Sequence, residues 1–300
     1  MRSAFYIGIS LLLIGNVFSA LYDVSIKWVP EEASATSFLL LRQVTAVLMI
    51  LPFWYCSGRP KSQLHKFHCY RANIGAVGAL ALISGLMVLP LATVSSLFYT
   101  GPIIILLLGY FYLKESVTQA QWLTVLLGFV GIVIMLRPSE ISMASLLVLF
   151  SATTFAICQL TLRKIPATEH VSSTLMLNNL YGIPLIGAMV LIQGACPFSW
   201  QLLAVALASN AFLLIYHGLC VMAYRQAKAS EIAIAEYSGL IFVVLLGWLL
   251  FDEWLDNLTW FGAALIVLPT LLLQVLTRRP PEPHIEAVKI DPLQVEAVKD

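Results

Sequence analysis

Apolar residues run along this chain in blocks of about twenty, separated by short polar breaks, from near the N-terminus to residue 277. Blocks of that length span the roughly 30 Å hydrocarbon core of a bilayer at about 1.5 Å of rise per helical residue. The pattern predicts helices near 4–26, 36–56, 72–89, 92–113, 119–136, 141–162, 173–193, 200–222, 230–251 and 258–277. About ten transmembrane helices make the chain all-α and polytopic. The first block, with Arg2 before Phe5 to Ala20, superficially resembles a signal peptide. Phe18 stands where a small residue is expected before cleavage at Ala20, so a retained first helix is expected. Residues 280–300 carry four prolines and a Glu-Ala-Val-Lys repeated from Glu286 and Glu296, and they read as a disordered cytoplasmic tail.

Composition agrees. Sixty percent of residues are apolar, 11% are charged and the mean hydropathy is +0.88, far from a soluble domain. A formal charge of +1 offers no global field for nucleic acid, which is not expected as a partner. Where the charges sit is more informative. With the N-terminus inside, twelve basic residues fall on that side, among them Arg2, the Arg59 to Arg71 cluster, Arg225 and Arg279, against Lys27 and Arg137 outside. The positive-inside rule therefore predicts that both termini are cytoplasmic and that the Arg59 to Arg71 cluster is a topology-setting loop. The five cysteines show no C-x-x-C spacing and read as packing residues, with no metal site.

The second half of the chain repeats the first. Residues 92–123 align without a gap on 230–261, so that Tyr99 falls on Tyr237, Gly101 on Gly239, Glu115 on Glu253 and Trp122 on Trp260. Upstream, Lys27 falls on Arg163, Pro30 on Pro166 and Ser37 on Ser173, at a spacing shorter by two. Each unit holds about five helices, placing the repeats at 1–138 and 139–279. An odd number of crossings per unit sets the copies in opposite orientations across the membrane, an arrangement that lets a central site face either side in turn.

These features resemble the drug/metabolite transporter superfamily, EamA type, with its two five-helix repeats. The resemblance is carried by Asp23 to Trp28 closing helix one, Arg42 in helix two, and Tyr99-Thr100-Gly101-Pro102 through Lys114-Glu115 in helix four. In the second half it is carried by Ala223-Tyr224-Arg225 and by Glu236-Tyr237-Ser238-Gly239 through Asp252-Glu253. It implies a multi-pass protein of the bacterial inner membrane, a small-molecule substrate and surrounding membrane lipid. Monomer and homodimer both stay open.

An ionised group near the bilayer centre costs about 2.5–3.5 kcal/mol on insertion scales, so each needs a partner, a wet cavity or a task. Asp23 and Arg42 lie near the outer ends of helices one and two and are expected either as an ion pair or as an outer gate or carboxylate grip. Glu236 has no evident counter-charge and is suited to carry a proton or to hold a cationic substrate. Asn16, Asn178, Asn179 and His217 add polar groups inside apolar helices; Asn178 and Asn179 match Arg42 and Gln43 across the repeat. Tyr99 and Tyr237 stand beside Gly101 and Gly239, at a level where Pro102 frees a backbone carbonyl, a plausible substrate-binding zone.

No Gly-Lys dipeptide exists, so the phosphate cradle of an ATPase is missing and transport must be secondary or passive. H-E-x-x-H and G-x-S-x-G are also missing, and no cofactor is expected. The expectation is a secondary transporter of a small organic metabolite, moved by alternating access with a proton or counter-substrate as the drive. Its amino-acid-like, nucleoside- or S-adenosylmethionine-like, vitamin-like or toxic amphipathic nature is left open. The alternatives are a lipid-modifying membrane enzyme, for which Asp23, His217 and Glu236 would have to converge, and a non-transporting scaffold with a solid centre.

Overall fold

The computed structural model describes residues 2–114, 117–136, 142–194, 198–226, 232, 235–236, 238–252 and 257–276; the predicted tail lies outside them. Its bounded helices are α1 (Arg2–Ile26), α2 (Ala35–Cys56), α3 (His65–Val88), α4 (Leu91–Phe98), α5 (Thr100–Tyr112), α6 (Gln119–Leu136), α7 (Met143–Leu162), α8 (Val171–Leu180), α9 (Ile183–Gln193), α10 (Trp200–Gln226), α11 (Ser238–Phe251) and α12 (Asn257–Leu276). No strand occurs among the described residues. Among the described residues, seven spans are long and apolar enough to cross a bilayer: α1, α2, α3, α4 with α5, α7, α8 with α9, and α10; α11 is a shorter apolar helix. The outer surface suits that setting: Phe53, Phe111, Leu191 and Ile192 stand open, a band that water would not tolerate but lipid solvates.

Local chemistry sets several boundaries. Ser34 caps α2 by accepting the Ser37 amide at 3.2 Å, and Ser142 caps α7 by accepting the Ser145 amide at 3.2 Å. His170 opens α8 by accepting the Ser172 amide through Nδ1 at 3.3 Å. Two predicted helices are broken. The fourth divides at Tyr99, three residues before Pro102, and the seventh divides at Tyr181 and Gly182, just before Pro184. In each case the missing proline N–H interrupts the backbone ladder.

The third helix corrects the sequence reading. It begins at His65, about two turns before the predicted start at 72, because Arg71 is no loop residue. Arg71 is buried, with Nε donating to the Cys158 carbonyl and Nη1 to Asn178 Oδ1, each at 3.2 Å.

The duplication is visible in the backbone. Lys114 and Asp252, 138 positions apart, both adopt a left-handed conformation at φ 53° where α5 and α11 end. Pairing of helices follows the same exchange. The contact of α1 with α10 has its counterpart in α7 with α3, and that of α1 with α11 in α7 with α5. The contacts of α6 with α12 and of α2 with α8 map onto themselves. A pseudo-two-fold relation between the halves produces this set.

Close approach at the centre depends on small residues. A Cβ added to Gly78 of α3 would lie 2.8 Å from Thr154 Cβ of α7, with Thr154 Oγ1 closer still. Gly78→Val is therefore expected to cost about 1–3 kcal/mol by overpacking. Thermal unfolding in detergent checks this: Gly78→Val melts several degrees below wild type, while Gly187→Ala, whose nearest new neighbour is 3.9 Å away, melts with wild type.

Candidate functional site

A cavity of about 130 Å³ lies among α1, α2, α3, α7, α8 and α10, with Phe98 of α4 closing one wall. These are three equivalent pairs of helices, one of each pair from either repeat. On α3 the lining positions 71, 72, 75, 76, 78, 79 and 82 follow helical spacing, and all but the first and last are glycine or alanine. Small side chains on that face make the room.

Of the residues that the sequence singles out, Asp23, Arg42, Asn178, Asn179 and His217 line this cavity. Arg42 is 4% exposed; its Nε and Nη1 have no hydrogen-bond partner among the described residues, and its guanidinium carbon stands 5.5 Å from the centre of the Tyr22 ring. No nitrogen of Arg42 comes within 4.0 Å of an Asp23 oxygen, so the expected ion pair is not formed here, although both groups face one chamber. Asn210 fixes the backbone beside them, donating to the Arg42 carbonyl and to Thr45 Oγ1 at 2.6 Å each. Asn178 receives Arg71, Asn179 donates to the Leu175 carbonyl at 2.9 Å, and the His217 ring lies 5.5 Å from that of Tyr216.

Asn16, Tyr99 and Glu236 do not line the cavity; they pack behind its wall. Asn16 Nδ2 donates to the Ala235 carbonyl and to Ser238 Oγ at 2.9 Å, holding the chain as it enters α11. The Tyr99 hydroxyl is seated against Gly239, where a Cβ would collide with it. Glu236 is 4% exposed and accepts two phenols, Tyr216 at 3.3 Å and Tyr224 at 3.1 Å. Tyr237 lies outside the described residues.

Sequence reasoning missed Tyr22, Arg71, Gln159 and Tyr216, all of which line the cavity. Tyr216 joins it to Glu236: its ring forms part of the wall, its hydroxyl donates to Glu236 Oε2 at 3.3 Å and accepts from Gln159 Nε2 at 3.4 Å. The helical spacing of Arg71 with Gly75, Gly78 and Leu82 was the available signal for that residue.

A second missed feature lies about one helical turn beyond the cavity residues Arg71, Leu175 and Val221. There Glu169, in the turn before α8, pairs with buried His68 of α3 at 2.6 Å and accepts Thr174 at 3.1 Å through the same oxygen. Its other oxygen accepts Ser62 at 2.8 Å, and its carbonyl accepts Arg225 of α10 at 2.6 Å. One residue thus ties together α3, α8, α10 and the link before α3. In the other repeat its position is held by Ala33.

Comparison with known proteins agrees with this architecture. The sequence matches the EamA-like transporter family twice, over residues 6–137 and 138–275. It is 25% identical over 277 residues to an S-adenosylmethionine uptake transporter of Rickettsia bellii (strain RML369-C), covering 89% of this chain and 93% of that one. It is 27% identical over 269 residues to a riboflavin transporter of Rhizobium johnstonii, covering 88% and 89% respectively. A crystal structure with 17% sequence identity superposes with a TM-score of 0.68 over 93% of this chain and 99% of its own, which extends the likeness to the fold. With two family repeats in tandem, equivalent helices around one cavity and matching left-handed residues at 114 and 252, the chain belongs to the EamA-like transporter family of the drug/metabolite transporter superfamily.

Proposed function

We propose that the chain is a secondary transporter that carries a small organic metabolite across the bacterial inner membrane by alternating access, with both termini cytoplasmic and a proton or counter-substrate as the drive. The observation that carries this reading is the cavity itself: walled by equivalent helices of the two repeats, with Asp23, Arg42, Arg71 and Asn178 set among a largely apolar lining. Exchange of roles between equivalent helices is what moves access from one side to the other. The Glu169 cluster supplies the closure that such a cycle needs at one end. The solutes named for the relatives, S-adenosylmethionine and riboflavin, support a small organic metabolite as the cargo.

Coupling is assigned to Glu236. It is out of contact with the solute yet one hydroxyl away from it through Tyr216, so a change at the cavity wall alters the bonding of the carboxyl. Lipid chemistry is disfavoured, because Asp23 and His217 face the chamber while Glu236 stands behind its wall. The open centre likewise weighs against a scaffold.

A panel of amino acids, nucleosides, vitamins and S-adenosylmethionine, offered to proteoliposomes with an imposed pH gradient, tests the reading. At least one solute is expected to enter well above empty liposomes, and more slowly after the gradient is dissipated. Folded, correctly reconstituted protein that moves none of them overturns the proposal; movement indifferent to the gradient replaces proton coupling by exchange.

A further inference from the structure

We infer that a groove between the ends of α3, α5 and α7 is a binding site for one anionic phospholipid, with Lys164 taking its phosphate and an apolar cleft taking the upper part of an acyl chain. The site stands apart from the carrier reading, since neither a solute nor its movement enters the argument.

The groove holds about 400 Å³ and is distinct from the central cavity, with which it shares only Arg71 and Cys158. That volume lies within the roughly 300–1,000 Å³ of sites that take organic ligands. Ile74 of α3, Leu108 of α5 and Ile157 of α7 form its inner half. Tyr70, Tyr112 and Lys164, each one or two turns nearer the helix ends, form its rim. From Ile157 to Lys164 the cleft is about 10 Å deep, at 1.5 Å per residue. Tyr70 and Tyr112 are 67% and 72% exposed, so the rim lies open on the outer surface rather than under a neighbouring helix. A dry apolar cleft on that surface offers water no partners, and in a bilayer a lipid chain fills it.

Charge decides which lipid. The charged residues of the lining, Arg71 and Lys164, are both cations. Arg71 spends Nε and Nη1 on the Cys158 carbonyl and on Asn178. Lys164 is exposed, and its ammonium reaches across from α7 to stand 5.1 Å from the centre of the Tyr112 ring of α5, which holds a positive charge at the mouth of the groove. An ammonium at that height, above an apolar cleft, matches a phosphate joined to acyl chains. The other repeat has no copy of this grip. Trp28 holds the position of Lys164, with its ring centre 6.4 Å from that of Phe251, and Leu250 holds the position of Tyr112. The lysine and phenol are thus particular to this groove and not a product of the repeated fold.

Native mass spectrometry of the full chain in detergent, titrated with phosphatidylglycerol or with phosphatidylethanolamine of the same chains, tests this. The first phosphatidylglycerol is expected to bind roughly fivefold tighter, the contribution of one lysine toward an anionic lipid. Lys164→Gln should remove that preference while leaving phosphatidylethanolamine unchanged, and Lys164→Arg should keep it. Lys61→Gln, which removes an exposed cation outside the groove, should keep it too. Glycerol phosphate, the head without chains, should not displace the lipid even in large excess. Equal binding of the two lipids by wild type overturns the inference, as does a preference that survives Lys164→Gln. Equal losses in Lys164→Gln and Lys61→Gln also overturn it, since they assign the effect to diffuse surface charge. Displacement by glycerol phosphate overturns the lipid as the occupant and makes the site one for a soluble phosphate ester. A failed uptake panel leaves each of these outcomes unchanged, so the two readings fall separately.

Discussion

Glu236→Gln is expected to abolish the response of uptake to a pH gradient, a loss of at least tenfold, while leaving exchange of labelled for unlabelled solute nearly intact. The reason is the position of the carboxyl. It is sealed from the cavity, held by the hydroxyls of Tyr216 and Tyr224, and followed by a chain segment pinned by Asn16. Glutamine keeps the shape and can satisfy one phenol as acceptor and the other as donor, so the local packing survives. What it cannot do is gain and lose a proton. Counterflow measured with and without the gradient separates the two outcomes, and a gradient response that persists in Glu236→Gln removes this residue from coupling.

The second large effect is expected at the opposite kind of site. Glu169→Ala removes one member of a buried pair and strips His68, Ser62 and Thr174 of a shared acceptor. Leaving a buried group without its partner typically costs about 3–5 kcal/mol. The variant should melt roughly 5–10 °C lower in detergent. Lost closure should also appear chemically. Cys158 and Cys220 line the cavity, so in a background without Cys56, Cys69 and Cys196 a membrane-impermeant maleimide added on the side of Glu169 should label them faster in the variant. Glu169→Gln keeps two of the acceptor contacts and should fall between. Unchanged labelling in Glu169→Ala would show that closure at this end lies elsewhere.

Much of the architecture was legible because lipid imposes it. With no water to solvate backbone groups, spans must be long, apolar and helical, and that constraint is written directly into residue order. The duplication was legible for a similar reason: Gly101 packs on α7 and Gly239 on α1, equivalent helices of the two repeats. Helix breaks were harder. Pro102 was read as freeing a carbonyl, but the division at Tyr181 and Gly182 was not, because the run through Leu185 to Ile192 stays apolar and hydropathy does not register a missing N–H.

The site was legible only in part. Arg42, Asp23 and His217 announced themselves by charge in an apolar setting, and all three reach the cavity. Glu236 announced itself in the same way and stands behind the wall, since charge alone does not say which face of a span an atom occupies. Arg71 went unnoticed for the converse reason: among Arg59, Lys61 and Lys66 it looked like one more loop cation, and its burial depends on Asn178, more than a hundred residues away in sequence. The Glu169 cluster joins four separate segments, so no local window contains it.

The cross-packing of the helices bears on how the protein is made. Since α1 is seated on α10 and α11, and α3 and α5 on α7, each half hides its polar faces against the other. While the ribosome has delivered only the residues up to Leu136, Asn16 and Arg71 have nothing to bond to but lipid or each other's neighbours. Assembly must therefore wait for the late spans, and the early ones need shelter at the insertion machinery until Cys158, Asn178 and Ser238 arrive.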